Sequence, residues 1–133
     1  MSAYLQKAHN NIVVAEMLFN NGQKYSSAHP AYYSAFLSVK YVLAHLLSID
    51  YTKQEEMTQG QESHKAIFEP ALKAMATSDT ATGVNYYEWY NQLRKMRRQA
   101  DYKPDSIEVA DLQGNLNMAK SFLNKVDANF KTV

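Results

Sequence analysis

There is no cysteine in this chain, and that absence closes several chemistries together: disulfides, thiolate zinc sites, iron–sulfur clusters and cysteine nucleophiles. Glycine and proline are also scarce, four and three in 133 residues, and they fall mostly between periodic segments. Frequent turns of the all-β kind are therefore excluded in favour of long helices. Net charge is nearly absent, with fourteen Lys+Arg against thirteen Asp+Glu, so no global basic field marks the chain for nucleic acid. Long apolar runs are missing too. The strongest, Tyr41 to Leu47, is interrupted by His45 and is far short of a membrane span. The N-terminal residues lack the basic, apolar and small-residue order of a signal peptide, and a cytoplasmic location with no membrane association is the expectation.

What is present is 46% hydrophobic residues, 20% charged residues and ten tyrosines against five Phe and one Trp. That composition and length predict one globular domain over residues 1–133.

Periodicity predicts an all-α fold, a compact up-and-down bundle of four to five helices. Leu5, Ala8, Ile12, Ala15 and Phe19 recur at three- and four-residue steps, a helix from about Ser2 to Phe19 that Asn20-Asn21-Gly22 ends. A second helix is expected from near Pro30, with Tyr32, Phe36, Val39 and Leu43 on its face. It is apolar over much of its circumference and so belongs at the centre. Ser48 to Gln61 reads as a solvated loop, carrying −3 over residues 50–62. A third helix is expected from Ser63, with Ile67, Phe68, Leu72 and Met75 inward and Pro70 kinking or splitting it. The fourth spans about Asn85 to Ala100, with Tyr86, Trp89, Tyr90 and Leu93 on one side, and Lys103-Pro104 closes it. Asp105 and Glu108 have capping-box spacing for a last helix. Val109, Leu112, Leu116, Ala119, Leu123, Val126 and Phe130 then form a heptad-like seam, which suits packing within the bundle or against a second chain.

The densest constellation for chemistry lies at the end of the fourth helix. Arg94, Lys95, Arg97, Arg98 and Lys103 stand against Glu88 and Asp101, giving residues 84–104 a charge of +3 in a neutral chain. Arg97 and Asp101 are four apart and able to pair, as are Arg98 and Tyr102. Arg94 and Arg98 are like charges one turn apart, a geometry that suits a phosphate. The alternative is ordinary surface pairing, since cations in a helix's last turns complement its dipole. His9, His29, His45 and His64 are scattered, with no pair at metal-ligand spacing, and a structural or solvent role is expected for each. The Trp89 and tyrosine stripe, like Tyr32 and Tyr33, has the spacing of core aromatics.

Arg97-x-x-Ala100-Asp101-Tyr102 resembles the HEPN domain (higher eukaryotes and prokaryotes nucleotide-binding). Other segments agree in order: Tyr4-Leu5-x-Lys7-Ala8, then Ala31-Tyr32-Tyr33-Ser34-Ala35-Phe36, then Ser63-His64-Lys65 with Phe68. The resemblance covers nearly the whole chain. It implies a small helical bundle, commonly a homodimer, in prokaryotic defence, stress and toxin–antitoxin contexts. A nucleotidyltransferase or a toxin or antitoxin is the kind of partner protein it implies. Many such proteins are metal-independent ribonucleases carrying an Arg followed, after four to six residues, by a His. Here the window after Arg97 holds Tyr102, Lys103 and Pro104, and no histidine follows Arg94 or Arg98 at that spacing. Tyrosine, with an ordinary pKa near 10, is a poor proton acceptor at neutral pH beside histidine's roughly 6.5. The expectation is therefore a non-catalytic interaction module without cofactor or metal. Its nucleotide or RNA site would draw on Arg94, Arg97, Arg98, Asp101, Tyr102, Tyr33 and His64. A ribonuclease with a non-standard site, using His64 or Tyr102, is the alternative.

Overall fold

The computed structural model describes residues 2–45, 47–58, 68–78 and 85–130. Among these there is no β-strand, and the all-α expectation holds. The helices are α1 (Ala3–Asn20), α2 (Ala28–His45), α3 (Tyr51–Thr58), α4 (Glu69–Ser78), α5 (Tyr86–Tyr102) and α6 (Val109–Phe130). Short 3-10 turns at Tyr25–Ser27 and Pro104–Ser106 lead into α2 and out of α5.

Helix α1 begins where the Ser2 side chain accepts the Tyr4 N–H, and it ends in a Schellman turn. Gln23 N–H donates to Leu18 C=O at 2.8 Å and Gly22 N–H to Phe19 C=O at 3.3 Å, with Gly22 at φ 85°. A side chain at that φ would be strained, so glycine sets the reversal into α2.

Helix α2 starts at Ala28, two residues before Pro30, whose missing N–H is harmless in a first turn. It is the central element, packed against α1, α5 and α6. Ala31, Ser34, Ala35 and Ser38 are buried on it, and small side chains permit close approach on several sides. Ser38 Oγ satisfies itself on Ala35 C=O at 2.8 Å. An aromatic cluster fills the space beneath its first turns: Tyr32 to Tyr90 at 5.5 Å, Phe36 to Phe68 at 5.1 Å, and Phe68 to Tyr90 at 5.9 Å between ring centroids. Tilted and offset contacts of this kind suit ring quadrupoles.

Three expectations need correction. Tyr51–Thr58 is helix α3 rather than loop. Asp50 caps it, with Oδ1 accepting Lys53 N–H at 2.8 Å, and Gln54 anchors it by donating to Lys40 C=O and Ile49 C=O at 3.1 and 2.8 Å. The capping box at Asp105 and Glu108 does not form. Asp105 belongs to the 3-10 turn, and Glu108 C=O accepts the first bonds of α6 from Asp111 and Leu112. Val109, assigned to the inward seam, is 46% exposed because it lies at the helix's first residue, short of the neighbouring elements. The rest of the seam, together with Phe122 and Asn115, is buried inside the bundle. The start of the third expected helix, including Ser63, lies outside the described residues. Pro70 sits in the first turn of α4, and the helix continues unbroken to Ser78.

Two pairs tie α1 to α6, His9 Nε2 with Asp127 Oδ2 at 2.7 Å and Lys120 with Glu16. The chain leaving α5 is held by Tyr25 Oη, which donates to Ile107 C=O at 3.5 Å.

Candidate nucleic-acid interface

Helix α5 opens with a cap in which Asn85 Oδ1 accepts Glu88 N–H at 2.9 Å. Its buried seam is Tyr86, Tyr90 and Leu93, and the next position at that spacing is Arg97. An arginine therefore occupies the place where the seam leaves the core. The Tyr90 ring meets Tyr32, whereas Arg97 meets His29, so α5 advances as α2 retreats and the two run antiparallel. The last turns of α5 are thus set beside the first turn of α2.

At that junction the Nε–H of Arg97 donates to Nδ1 of His29 at 3.3 Å, and Oδ2 of Asp101 lies 3.3 Å from the same nitrogen as an ion-pair contact. A ring nitrogen that accepts carries no proton, so in this contact the His29 ring offers Nδ1 and keeps its donor on Nε2. The guanidinium keeps its terminal nitrogens for another acceptor, and paired terminal N–H groups match phosphate oxygens. The Arg97 side chain is 33% exposed, neither sunk in the core nor free in water. Arg94, half-buried one turn earlier, lies near enough to Tyr90 to affect its ionisation.

The floor beneath is polar and tied. Tyr32 Oη and Tyr90 Oη are 3.0 Å apart. Burial first, and then Tyr32, raise the Tyr90 pKa well above its ordinary value, with Arg94 acting the other way. Tyr90 is a protonated clip between α2 and α5, not a proton acceptor for chemistry.

From His29 an aromatic run continues along α2. The His29 and Tyr33 rings stack at 5.8 Å and 13°, and Tyr33 stacks on Phe36 at 5.2 Å and 21°. Of the residues singled out in the sequence, Arg97, Asp101 and, through His29, Tyr33 come together here, with Arg94 alongside. Arg98 and Tyr102 are exposed, Tyr102 at 76%, and neither joins the Arg97 network. His64 lies outside the described residues. His29 was the omission. Its separation of 68 residues from Arg97 conceals the contact, although its position one turn before Tyr33 puts both on one face of α2.

Among the described residues no group of three His, Cys, Asp or Glu side chains is placed to hold a metal ion, and no helix is long and apolar enough to cross a membrane. Against known families, the HEPN domain model matches residues 1–129. No curated protein and no solved structure matches the chain.

Proposed function

The chain belongs to the HEPN domain family, and from that membership we propose that it is a nucleotide- or RNA-binding module whose ligand phosphate sits on Arg97. One observation carries this reading: Arg97 is oriented through its Nε–H by His29, with Asp101 in ion-pair contact beside it, which leaves the outer guanidinium edge for an anion. Arg94 and the exposed Arg98 add positive charge on the same helix, and Tyr33 offers a ring beside His29. The module is non-catalytic, because the family's ribonuclease motif requires a histidine four to six residues after its arginine and this chain has none there. A ribonuclease with a non-standard site is the competing reading. Cleavage of clean RNA by the wild-type chain, lost in Arg97→Ala, would establish it.

A second reading, an interaction module that dimerises or pairs with a nucleotidyltransferase, toxin or antitoxin, draws support from α1. Val13, Val14 and Met17 are exposed together on its outer side. The seam of α6 no longer supports it, since that seam is consumed by the core.

The nucleotide-binding reading is tested by titrating a fluorescein-labelled single-stranded RNA with wild-type protein, Arg97→Ala, and Arg97→Ala combined with Arg98→Ala. Weakening of about tenfold or more in Arg97→Ala is expected, the worth of a charge-assisted bond. Unchanged affinity in the double variant would overturn the reading.

A further inference from the structure

Between α1 and α2 lies a pocket of about 290 Å³, lined by Ala3, Tyr4, Lys7, Tyr33, Phe36, Leu37 and Lys40. Its walls are three aromatic rings, and its charged residues are two lysines with no carboxylate among them. The lysine at its far end is set over aromatic faces, Lys40 Nζ lying 5.3 Å from the Tyr4 centroid and 5.5 Å from that of Phe36. Tyr4 is itself fixed by stacking on Tyr51 at 3.9 Å and 8°. On the near side the pocket shares Tyr33 with the Arg97 junction, because the ring that lines it also stacks on His29. One aromatic path therefore leads from Arg97, past His29 and Tyr33, to Phe36, with a guanidinium at one end and the Lys40 ammonium at the other, Lys7 lining the same pocket.

We infer that this pocket is a second nucleotide subsite, which takes a base against the exposed side of the stacked Tyr33 and Phe36 rings and the neighbouring phosphate at Lys7 and Lys40. The occupant is a segment of single-stranded nucleic acid whose adjacent phosphate lies on Arg97. Aromatic side chains accept any base, and a cation beside them neutralises the backbone, which is how single strands are held without sequence readout. A mononucleotide would fill only one end. This inference rests on the nucleotide-binding reading of Arg97 and extends it from a single phosphate to a strand.

The experiment measures binding of a labelled single-stranded RNA octamer and of uridine monophosphate to the full chain over a range of salt. Wild type is compared with Lys7→Ala, Lys40→Ala and Arg97→Ala. Each lysine variant is expected to weaken octamer binding about three- to tenfold and to lower the slope of log affinity against log salt by about 0.7, one phosphate's share for single strands. Uridine monophosphate, which either end can hold, should be weakened less than the octamer by each lysine variant. Lys7 is exposed, so Lys7→Ala keeps the test intact even if Lys40→Ala impairs folding. Octamer affinity and salt slope unchanged in Lys7→Ala would overturn the subsite while leaving Arg97 its role, provided Arg97→Ala still weakens binding. Weakening by the lysine variants but not by Arg97→Ala would keep the subsite and remove the Arg97 reading. Failure of the wild-type chain to bind the octamer would overturn both.

Discussion

Nε of Arg97 donates to Nδ1 of His29 across 3.3 Å, joining the end of α5 to the first turn of α2. Asp101 Oδ2 lies 3.3 Å from the same nitrogen as an ion-pair contact, so the carboxylate meets the charge while the hydrogen bond goes to the imidazole. A carboxylate by itself would leave the side chain free to swing along the helix surface. The imidazole, fixed on another element, sets the direction in which the outer nitrogens point.

A double-mutant cycle checks that arrangement. If His29 acts through Arg97, His29→Leu should weaken RNA binding by about threefold and Arg97→Ala by about ten- to a hundredfold, with the double variant no weaker than Arg97→Ala. Additive losses would mean that His29 meets the ligand on its own account. Arg97→Lys should fail to restore affinity, because an ammonium cannot serve His29, Asp101 and a phosphate in one plane.

Tyr90 makes alkaline stability informative. Its folded pKa is raised by burial and by Tyr32, so its neutral form stabilises the fold fully below the ordinary value of 10.0. That contribution is lost as pH rises from there through the raised folded pKa, because only the unfolded chain ionises readily in between. Urea unfolding should therefore show falling stability above pH 10. Tyr90→Phe should lose about 1 kcal/mol at neutral pH, a hydroxyl bond's worth, and show a shallower alkaline fall. An equally steep fall in the variant would place the titration elsewhere.

Gln54 is the anchor of α3. Replacing it with Leu removes both donations, to Lys40 C=O and Ile49 C=O, and should cost about 1–3 kcal/mol. Amide exchange should rise over Tyr51–Thr58 before it rises in α2. The exposed neighbour Thr52 gives the control, since Thr52→Ala should leave exchange in α2 unchanged.

Phe122 distinguishes a buried seam from an interface. Its ring lies 5.6 Å from Tyr86 and 6.5 Å from Tyr90 with no exposure, so Phe122→Ala should destabilise the isolated chain by about 3–5 kcal/mol. Val109→Ala, at the exposed start of the same helix, should stay within about 0.5 kcal/mol. Denaturant midpoints measure both.

The long helices were legible because their apolar spacing is a local property of the backbone. Leu5, Ala8, Ala15 and Phe19 on α1, and Tyr86, Tyr90 and Leu93 on α5, are buried as their periodicity predicts. Gly22 ends α1 as a left-handed residue for a reason visible in the sequence, and Lys103-Pro104 closes α5 for another. Helix α3 escaped notice because its stability comes from one buried amide and a cap rather than from an apolar stripe. Tyr25 and Tyr51, unexplained by spacing, serve contacts between elements, and Tyr41 is a buried residue of α2. Tyr25 reaches Ile107, Tyr41 packs in the core against His45, and Tyr51 stacks on Tyr4.

The sequence by itself determined the helical class, the order of its main elements, the absence of thiol chemistry and the positive segment on α5. Each of these is settled by composition or by residues within a turn or two of one another. Tertiary structure alone decided which cations work together. Arg97 and Arg98 are adjacent in sequence, but a helix turns about 100° between neighbours. One therefore continues the buried seam toward His29, while the other faces water. It also decided that the last helix's seam closes the bundle, and that Tyr33 joins an arginine junction to a lysine-lined pocket. Such pairings depend on how α1, α2 and α5 pack, and spacing along the chain does not encode them.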